Sequence, residues 1–278
     1  MSDRKCPARP SQAAFAAAAV ALSMASPAAA ESLRAHYALS LLGLSFGSAT
    51  AVGDIEPDRY RIEISMRTAG LANLVNNTKG AATASGRLAP SGPEPANFAH
   101  TLANSTETRT IRMSLGGNAV RALRVDPEPW DAAARIPVTE EQKQHVLDPV
   151  SALIMSVPAG QPLVGPSACN RTIPVFDGVT RFDVHLYYVE TRAVRARGYE
   201  GPVTVCAARY MPISGHRPDS AATRFMADNG EMSVWLAPLE RAHVVAPLRI
   251  DIRTSVGMMT IDATEFQIGS REALKGAQ

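Results

Sequence analysis

Along most of this chain, apolar and polar positions alternate with a period of two. From Tyr60 to Thr68, Ile62, Ile64 and Met66 fall on one side and Arg61, Glu63, Ser65 and Arg67 on the other. Phe182, Val184, Leu186 and Tyr188 repeat the pattern against Arg181, Asp183 and His185. Leu248, Ile250 and Ile252 do so against Arg249, Asp251 and Arg253. Strict alternation describes strands with one dry and one wet face, the habit of antiparallel sheets. Gly116-Gly117-Asn118, Asp177-Gly178, Asp228-Asn229-Gly230 and Val256-Gly257 supply turn residues between runs. The pattern predicts strands near 36–51, 59–68, 79–89, 96–104, 107–115, 118–125, 171–177, 181–190, 202–211, 231–237, 246–255 and 258–268. So many strands with few helices imply a barrel, a sandwich or a strongly curved open sheet.

The departures from alternation carry information. Residues 39–46 are apolar on both faces, which predicts a strand covered on both sides or lining an enclosed space. Thr139-x-x-Gln142 is a capping box and predicts a short polar helix over 139–146. Asp148-Pro149 starts a second, with Asp148 suited to the N-cap and Pro149 to the first helical position. Val150, Leu153, Ile154 and Val157 then recur at helical spacing as one apolar stripe, and Pro158 stops it. Such a helix fills the concave side of a curved sheet; the alternatives are an ordinary core helix and one that gates a ligand. A further helical turn is expected at 71–76.

The first thirty residues read as an export signal. Arg4, Lys5 and Arg9 precede an uncharged apolar run from Ala13 to Met24, and Ala28 and Ala30 supply the small residues of a cleavage site after Ala30. The run is shorter than the about twenty residues that span a bilayer, and no later stretch is long enough either. The alternative is an uncleaved amphipathic anchor. Removing 1–30 lowers the charged residues from 28 basic and 26 acidic to equal numbers, so the expected mature chain has no net positive field to attract nucleic acid. No repeat or linker divides residues 31–278, which are expected to form a single periplasmic domain. Aromatics, at 5%, are too scarce for the girdles of a membrane-spanning barrel.

Two cysteines remain after that cleavage, Cys169 and Cys206. An oxidising compartment favours a disulfide between them, which in a chain-entropy model stabilises the fold by about 4 kcal/mol. Two buried free thiols are the alternative. A simple meander of the strands near 171, 181 and 202 separates the cysteines by two strand spacings, about 9–10 Å, too far to bridge. The pairing therefore requires the chain before Arg171 to curl across its neighbour.

Candidate chemistry is sparse. Gly43-Leu44-Ser45-Phe46-Gly47 matches a nucleophile elbow in letters, but that motif needs a strand-to-helix turn and here lies in a β-patterned stretch. Its glycines are read instead as bends in a curved strand. His36, His100, His145, His185, His216 and His243 are scattered, with no pair at metal-ligand spacing. No phosphate loop or dinucleotide fingerprint occurs, and no cofactor or metal is expected. Arg192, Arg195 and Arg197, with Arg209 and Arg217 beyond, offer contacts to phosphate groups or form a solvated hairpin. Asp148 has the chemistry of a base in an enclosed site, although N-capping accounts for it.

Several segments resemble a known bacterial family. Tyr37-x-Leu39-x-Leu41-x-Gly43-Leu44-x-Phe46-Gly47, Leu147-Asp148-Pro149-Val150-Ser151-Ala152-Leu153, Val175-Phe176-Asp177-Gly178, Val234-Trp235-Leu236 and Pro247-Leu248-Arg249-Ile250 occur in the order seen in domain of unknown function 3108. The resemblance implies an exported envelope protein with a large curved β-sheet around a helix, similar in outline to the lipoprotein carriers of the Gram-negative periplasm. It carries over no catalytic residue.

The expectation is thus a mainly β protein, a large curved antiparallel sheet or open barrel wrapped around a short helix. Leu39, Leu41, Leu44 and Phe46 of the strand, with Val150, Leu153, Ile154 and Val157 of the helix, are the candidate lining of an apolar cleft. The expected role is non-enzymatic: binding a lipid acyl chain there, or an extended peptide at a sheet edge, in support of envelope integrity. The competing roles are a periplasmic hydrolase and a scaffold that docks to another envelope protein.

Overall fold

The computed structural model describes residue 1 and residues 31–70, 77–270 and 273–274. Fourteen strands join one antiparallel sheet. They are β1 (Glu31–Leu41), β2 (Leu44–Ile55), β3 (Arg59–Thr68), β4 (Lys79–Ala89), β5 (Gly92–Ala103), β6 (Thr108–Gly116), β7 (Ala119–Asp126), β8 (Met155–Ser156), β9 (Arg171–Phe176), β10 (Arg181–Ala196), β11 (Tyr199–Ser214), β12 (Met232–Leu239), β13 (Val244–Thr254) and β14 (Gly257–Gly269). Across the sheet they run β7-β6-β5-β4-β3-β2-β1-β14-β13-β12-β11-β10-β9, with β8 paired to β13. The first and last strands of the described sequence meet in its middle, where β1 pairs with β14 from Ser32–Gly269 to Leu41–Met259.

The sheet is an open barrel. Its edges, β7 and β9, are joined by the segment between β7 and β9 instead of by each other. Val146 donates its amide to Asn118 O beside β7 (2.8 Å), while Leu147 exchanges bonds with β9, donating to Pro174 O (2.8 Å) and accepting from Phe176 N (2.9 Å). The β9–β10 turn closes the space from the other side. Gly178, at φ 100°, passes so near β6 that a Cβ would stand 2.5 Å from Ile111 Cγ2.

Most expected strands lie where alternation put them, and three expectations change. Residues 36–51 are two strands joined by a tight turn at Leu42-Gly43, both at positive φ (54° and 80°). Leu42 and Leu44 are 66% and 75% exposed, so this stretch is not covered on both faces. The glycines of 43–47 are a turn residue and a close approach, where a Cβ on Gly47 would lie 2.6 Å from Arg67 O. The 148–157 stripe is a single 3₁₀ turn, Ser151–Leu153, followed by β8. Met155 and Ser156 pair with Val245 and Val244, and a short edge pairing satisfies the backbone as well as a helix would. The 139–146 helix shrinks to the 3₁₀ turn Glu141–Lys143, although its capping box forms: Thr139 N donates to Gln142 Oε1 and Gln142 N to Thr139 Oγ1. The helical turn expected at 71–76 lies outside the described residues, as does the export signal at 2–30.

An α-helix, α1 (Ala221–Asp228), stands between β11 and β12, where the alternation predicted no element and only Asp228 fell in an expected turn. Ser220 Oγ caps it by accepting from Thr223 N.

Strands β12 and β13 are covered on both faces. Val234, Leu236 and Val245 belong to one apolar cluster and Ala237, Leu239, Val244, Ala246 and Leu248 to a second. One cover is the long β10–β11 hairpin, which pairs with β12 only over Thr204–Ala207 and then folds across to β14. There Arg197 O accepts from Phe266 N (2.7 Å), and Tyr199 meets the Phe266 ring edge-on. The hairpin arginines are engaged: Arg192 pairs with Glu190 and lies 4.9 Å over Trp235, Arg195 pairs with Glu200, and Arg197 with Glu265. They form a folded hairpin's own contacts rather than an unpaired anion site.

Cys169 and Cys206 are bonded, with Cα atoms 5.8 Å apart. The meander β9–β10–β11 also holds, so the chain before Arg171 does cross β10. Asn170, at φ 42°, accepts from Tyr188 N (3.0 Å) where β10 bulges, and this carries Cys169 across to β11.

Candidate functional site

The segment 147–154 reaches into the concave side of the sheet and is fixed there by a buried polar chain. Asp148 Oδ1 accepts from the amides of Val150 (3.0 Å) and Ser151 (2.9 Å), and Oδ2 accepts from Ser151 Oγ (2.5 Å). With the serine hydroxyl so committed, Tyr60 of β3 donates to Ser151 Oγ at 2.6 Å. Burial pushes the Asp148 carboxyl up, against the pull of these donors, and raises Tyr60 also. Both Asp148 and Ser151 are fully buried, so this cluster anchors the turn and offers no reacting group to solvent.

The anchored turn divides the concave space into two hollows, and Pro149 and Leu153 line both. The smaller, about 280 Å³, lies against β9–β13 under Phe182, Val184, Leu186, Ala208, Val234 and Ile250. Its lining is almost wholly apolar. The carboxylate at its border, Asp251, is held by Arg249 (2.8 and 3.0 Å) and Thr260 (2.8 Å). The larger, about 620 Å³, lies against β3–β6. Ile64, Phe98, Leu102 and Ile111 are joined there by His100, Asp177, Arg109 and Arg135. Burial lowers His100 and raises Asp177; each one's charge opposes the other's shift, and the Thr180 and Val179 amides also hold Asp177 down. Arg135 is bound to Asp131 (2.8 Å) and Gly215 O (2.7 Å), and Arg109 to Glu107 (2.6 Å).

A third depression, about 700 Å³, lies between Ser91, Asn118, His145 and Arg171. It is open, and its lining mixes apolar Leu147, Met155 and Ile173 with serine, asparagine and proline residues, so it is not walled by apolar side chains as the smaller hollow is.

The structure does not bring the eight candidate lining residues together. Leu153 and Val150 line the hollows, Ile154 and Val157 are packed core, and Leu39 is buried in the middle of the sheet. Leu41 and Phe46 are half-buried beside the exposed Leu44 at the hairpin tip, away from the 3₁₀ turn. Ser45 is exposed on that hairpin, and among the described residues no hydrogen bond links it to a histidine or carboxylate. The apolar wall that sequence reading missed is β10, β12 and β13. Its signal was present, since the alternation that revealed these strands also named Val184, Leu186 and Ile250 as their dry face. Nothing in one strand says that its dry face is left unfilled.

Among known families, the model of the protein of unknown function DUF3108 matches residues 33–264. This chain belongs to the DUF3108 family. The segment 147–153, one of those that carried the resemblance, is in this DUF3108 protein the piece that bridges the barrel's gap and separates its hollows. A search of curated proteins gave no match. Among solved structures, a β-barrel-like protein of domain of unknown function DUF1849 from Brucella abortus aligns at 10% identity, covering 88% of this chain and 99% of that one with a TM-score of 0.47. Among the described residues no three His, Cys, Asp or Glu side chains are grouped to hold a metal, and no helix is long and apolar enough to cross a membrane.

Proposed function

We propose that this DUF3108 protein is exported, loses residues 1–30, and works in the periplasm as a non-enzymatic binder of an acyl chain in support of the cell envelope. The observation that carries the reading is the smaller hollow. It is walled by β-strand side chains, floored by Leu153 and nearly free of polar atoms, and at about 280 Å³ it is just under the about 300–1,000 Å³ typical of ligand sites. An apolar chain enters such a space without stranding a hydrogen-bonding group, whereas a polar substrate would lose its water contacts for nothing. The order of charged start, apolar run and Ala-x-Ala supports export, and the Cys169–Cys206 bond suits an oxidising compartment. An added peptide strand is the poorer fit. Leu147 already occupies part of the β9 edge, and β7 presents Arg121 and Arg124, the charged side chains that discourage strand addition.

The test is fluorescence of anilinonaphthalene sulfonate with dodecanoate as competitor. The expected result is enhanced emission that dodecanoate displaces, abolished in Ala208→Phe, which fills the hollow, while the β circular-dichroism signal is kept. Equal displacement in Ala208→Phe, or none in the unaltered protein, contradicts the reading.

A further inference from the structure

In an antiparallel meander alternate turns lie at the same end of the sheet. One end of this barrel carries turns 56–58, 90–91, 117–118, 197–198 and 240–243, which contain no large exposed apolar side chain. The other carries the β1–β2 turn, the β13–β14 turn, the chain leaving β7, and α1. There Leu42, Leu44, Val256 and Trp130 are 66%, 75%, 65% and 86% exposed, and Phe225 of α1 is 37% exposed.

The first three form one patch. Leu42 donates its amide to Met258 O (2.9 Å), and its side chain covers Gly257, where a Cβ would stand 2.2 Å from Leu42 Cδ2. Leu42 also holds a positive φ, a conformation that suits glycine or asparagine and not leucine. The surroundings are basic. Residues 37–53, 64–70, 77–82 and 252–260 contain Arg67, Lys79 and Arg253 and no acidic residue. The acidic neighbours are Glu63, next to the second stretch, Asp54 and Asp251 at the borders of the first and last, and Glu231, whose carbonyl accepts from Arg253 N (3.0 Å). The three cations are exposed, and among the described residues none forms an ion pair.

The patch is continuous with the smaller hollow. Met232 pairs with Ile252, Ile252 with Met259, Met259 with Leu41, and Leu41 with Leu44, so one row across five strands runs from the lining to the hairpin tip. The larger hollow reaches the same end at Asn104 and Glu107, in the β5–β6 turn.

We infer that this end of the barrel docks on a lipid surface with anionic headgroups: Leu42, Leu44 and Val256 enter the apolar boundary while Arg67, Lys79 and Arg253 meet the headgroups. Apolar side chains at a turn tip, ringed by cations, match that boundary in depth and in charge. Docking so placed sets the row from Leu44 to Met232 against the membrane, and the hollow then opens towards a source of acyl chains.

The experiment is co-sedimentation of the exported protein with vesicles of phosphatidylcholine containing phosphatidylglycerol, beside vesicles of phosphatidylcholine alone. The unaltered protein should bind the anionic vesicles, and less tightly as salt rises. The double variant Leu44→Asp with Val256→Asp should bind at least about tenfold more weakly. Arg67→Glu with Lys79→Glu should lose affinity for the anionic vesicles and none for the neutral ones. Absence of binding by the unaltered protein overturns the inference, as does equal binding by Leu44→Asp with Val256→Asp. So does a dimer in solution that this variant dissociates, since the patch would then serve a second copy. Dodecanoate displacement is measured on the same samples: it should survive in the docking variants, and its failure with docking intact would sink the ligand reading while leaving this one.

Discussion

Two turns of this barrel have the same backbone and opposite chemistry. At one end, Gly117-Asn118 joins β6 to β7 with both residues at positive φ (60° and 55°). At the other, Leu42-Gly43 joins β1 to β2 with φ of 54° and 80°. A tight hairpin turn requires positive φ at both places and draws on glycine and asparagine for it, as the first turn does. The second puts a leucine there, with two-thirds of its surface in water. Neither backbone preference nor burial explains that choice. The polar end is built as folding alone would build it, whereas the apolar end departs from local preference where it faces outward. A side chain held against its own preference and away from the core is best accounted for by a contact outside the chain.

That contrast can be broken or sharpened by substitution. The largest effect belongs to neither end. Cys169→Ser should lower unfolding free energy by about 4 kcal/mol, read by denaturant titration, because the crossing over β10 depends on the bond. Ser151→Ala should cost about 1–3 kcal/mol by leaving Tyr60 and Asp148 without their shared partner in the interior. Leu42→Asn should do the reverse. It removes the misplaced side chain from the positive-φ position and should raise stability by up to about 1 kcal/mol while weakening vesicle binding. A loss of stability there would mean that Leu42 serves the fold after all, and the two ends would no longer differ in kind.

The smallest effect is a pH slope. Burial keeps His100 below its ordinary value near 6.5, so the folded state resists the proton that the unfolded chain accepts. Stability present above about pH 6.5 should therefore decline as the pH falls, and His100→Gln should flatten the decline in thermal melts. Asp148 and Asp177, raised by burial, act in the opposite sense: they favour the fold at low pH and lose that contribution as the pH rises through their raised values.

The strands were legible because alternation survives in a sheet with one wet face, and β3 and β4 fall at the residues expected. The turn at Leu42-Gly43 was not, because leucine carries no turn signal and its apolar neighbours read as one continuous strand. The stripe Val150, Leu153, Ile154, Val157 has helical spacing, yet spacing does not count backbone partners. With Val244 and Val245 available to pair with β8, the chain becomes a strand after one 3₁₀ turn. Asp148 does accept from the first amides of the turn, those of Val150 and Ser151, although Val150 and not Asp148 is the N-cap of the 3₁₀ turn. Its link through Ser151 to Tyr60, 91 positions from the serine, has no local trace. The lining of the hollow was named strand by strand and not as a cavity, because an unfilled space belongs to the arrangement of several strands.

The central claim is that the space under β9–β13 holds an apolar chain in the cell. Native mass spectrometry of protein taken from the periplasm, without added lipid, addresses it most directly. The account predicts a population heavier by the mass of an acyl-chain amphiphile, which gentle activation strips and which Ala208→Phe lacks. A protein that emerges only at its own mass, from cells in which Ala208→Phe behaves identically, would contradict it.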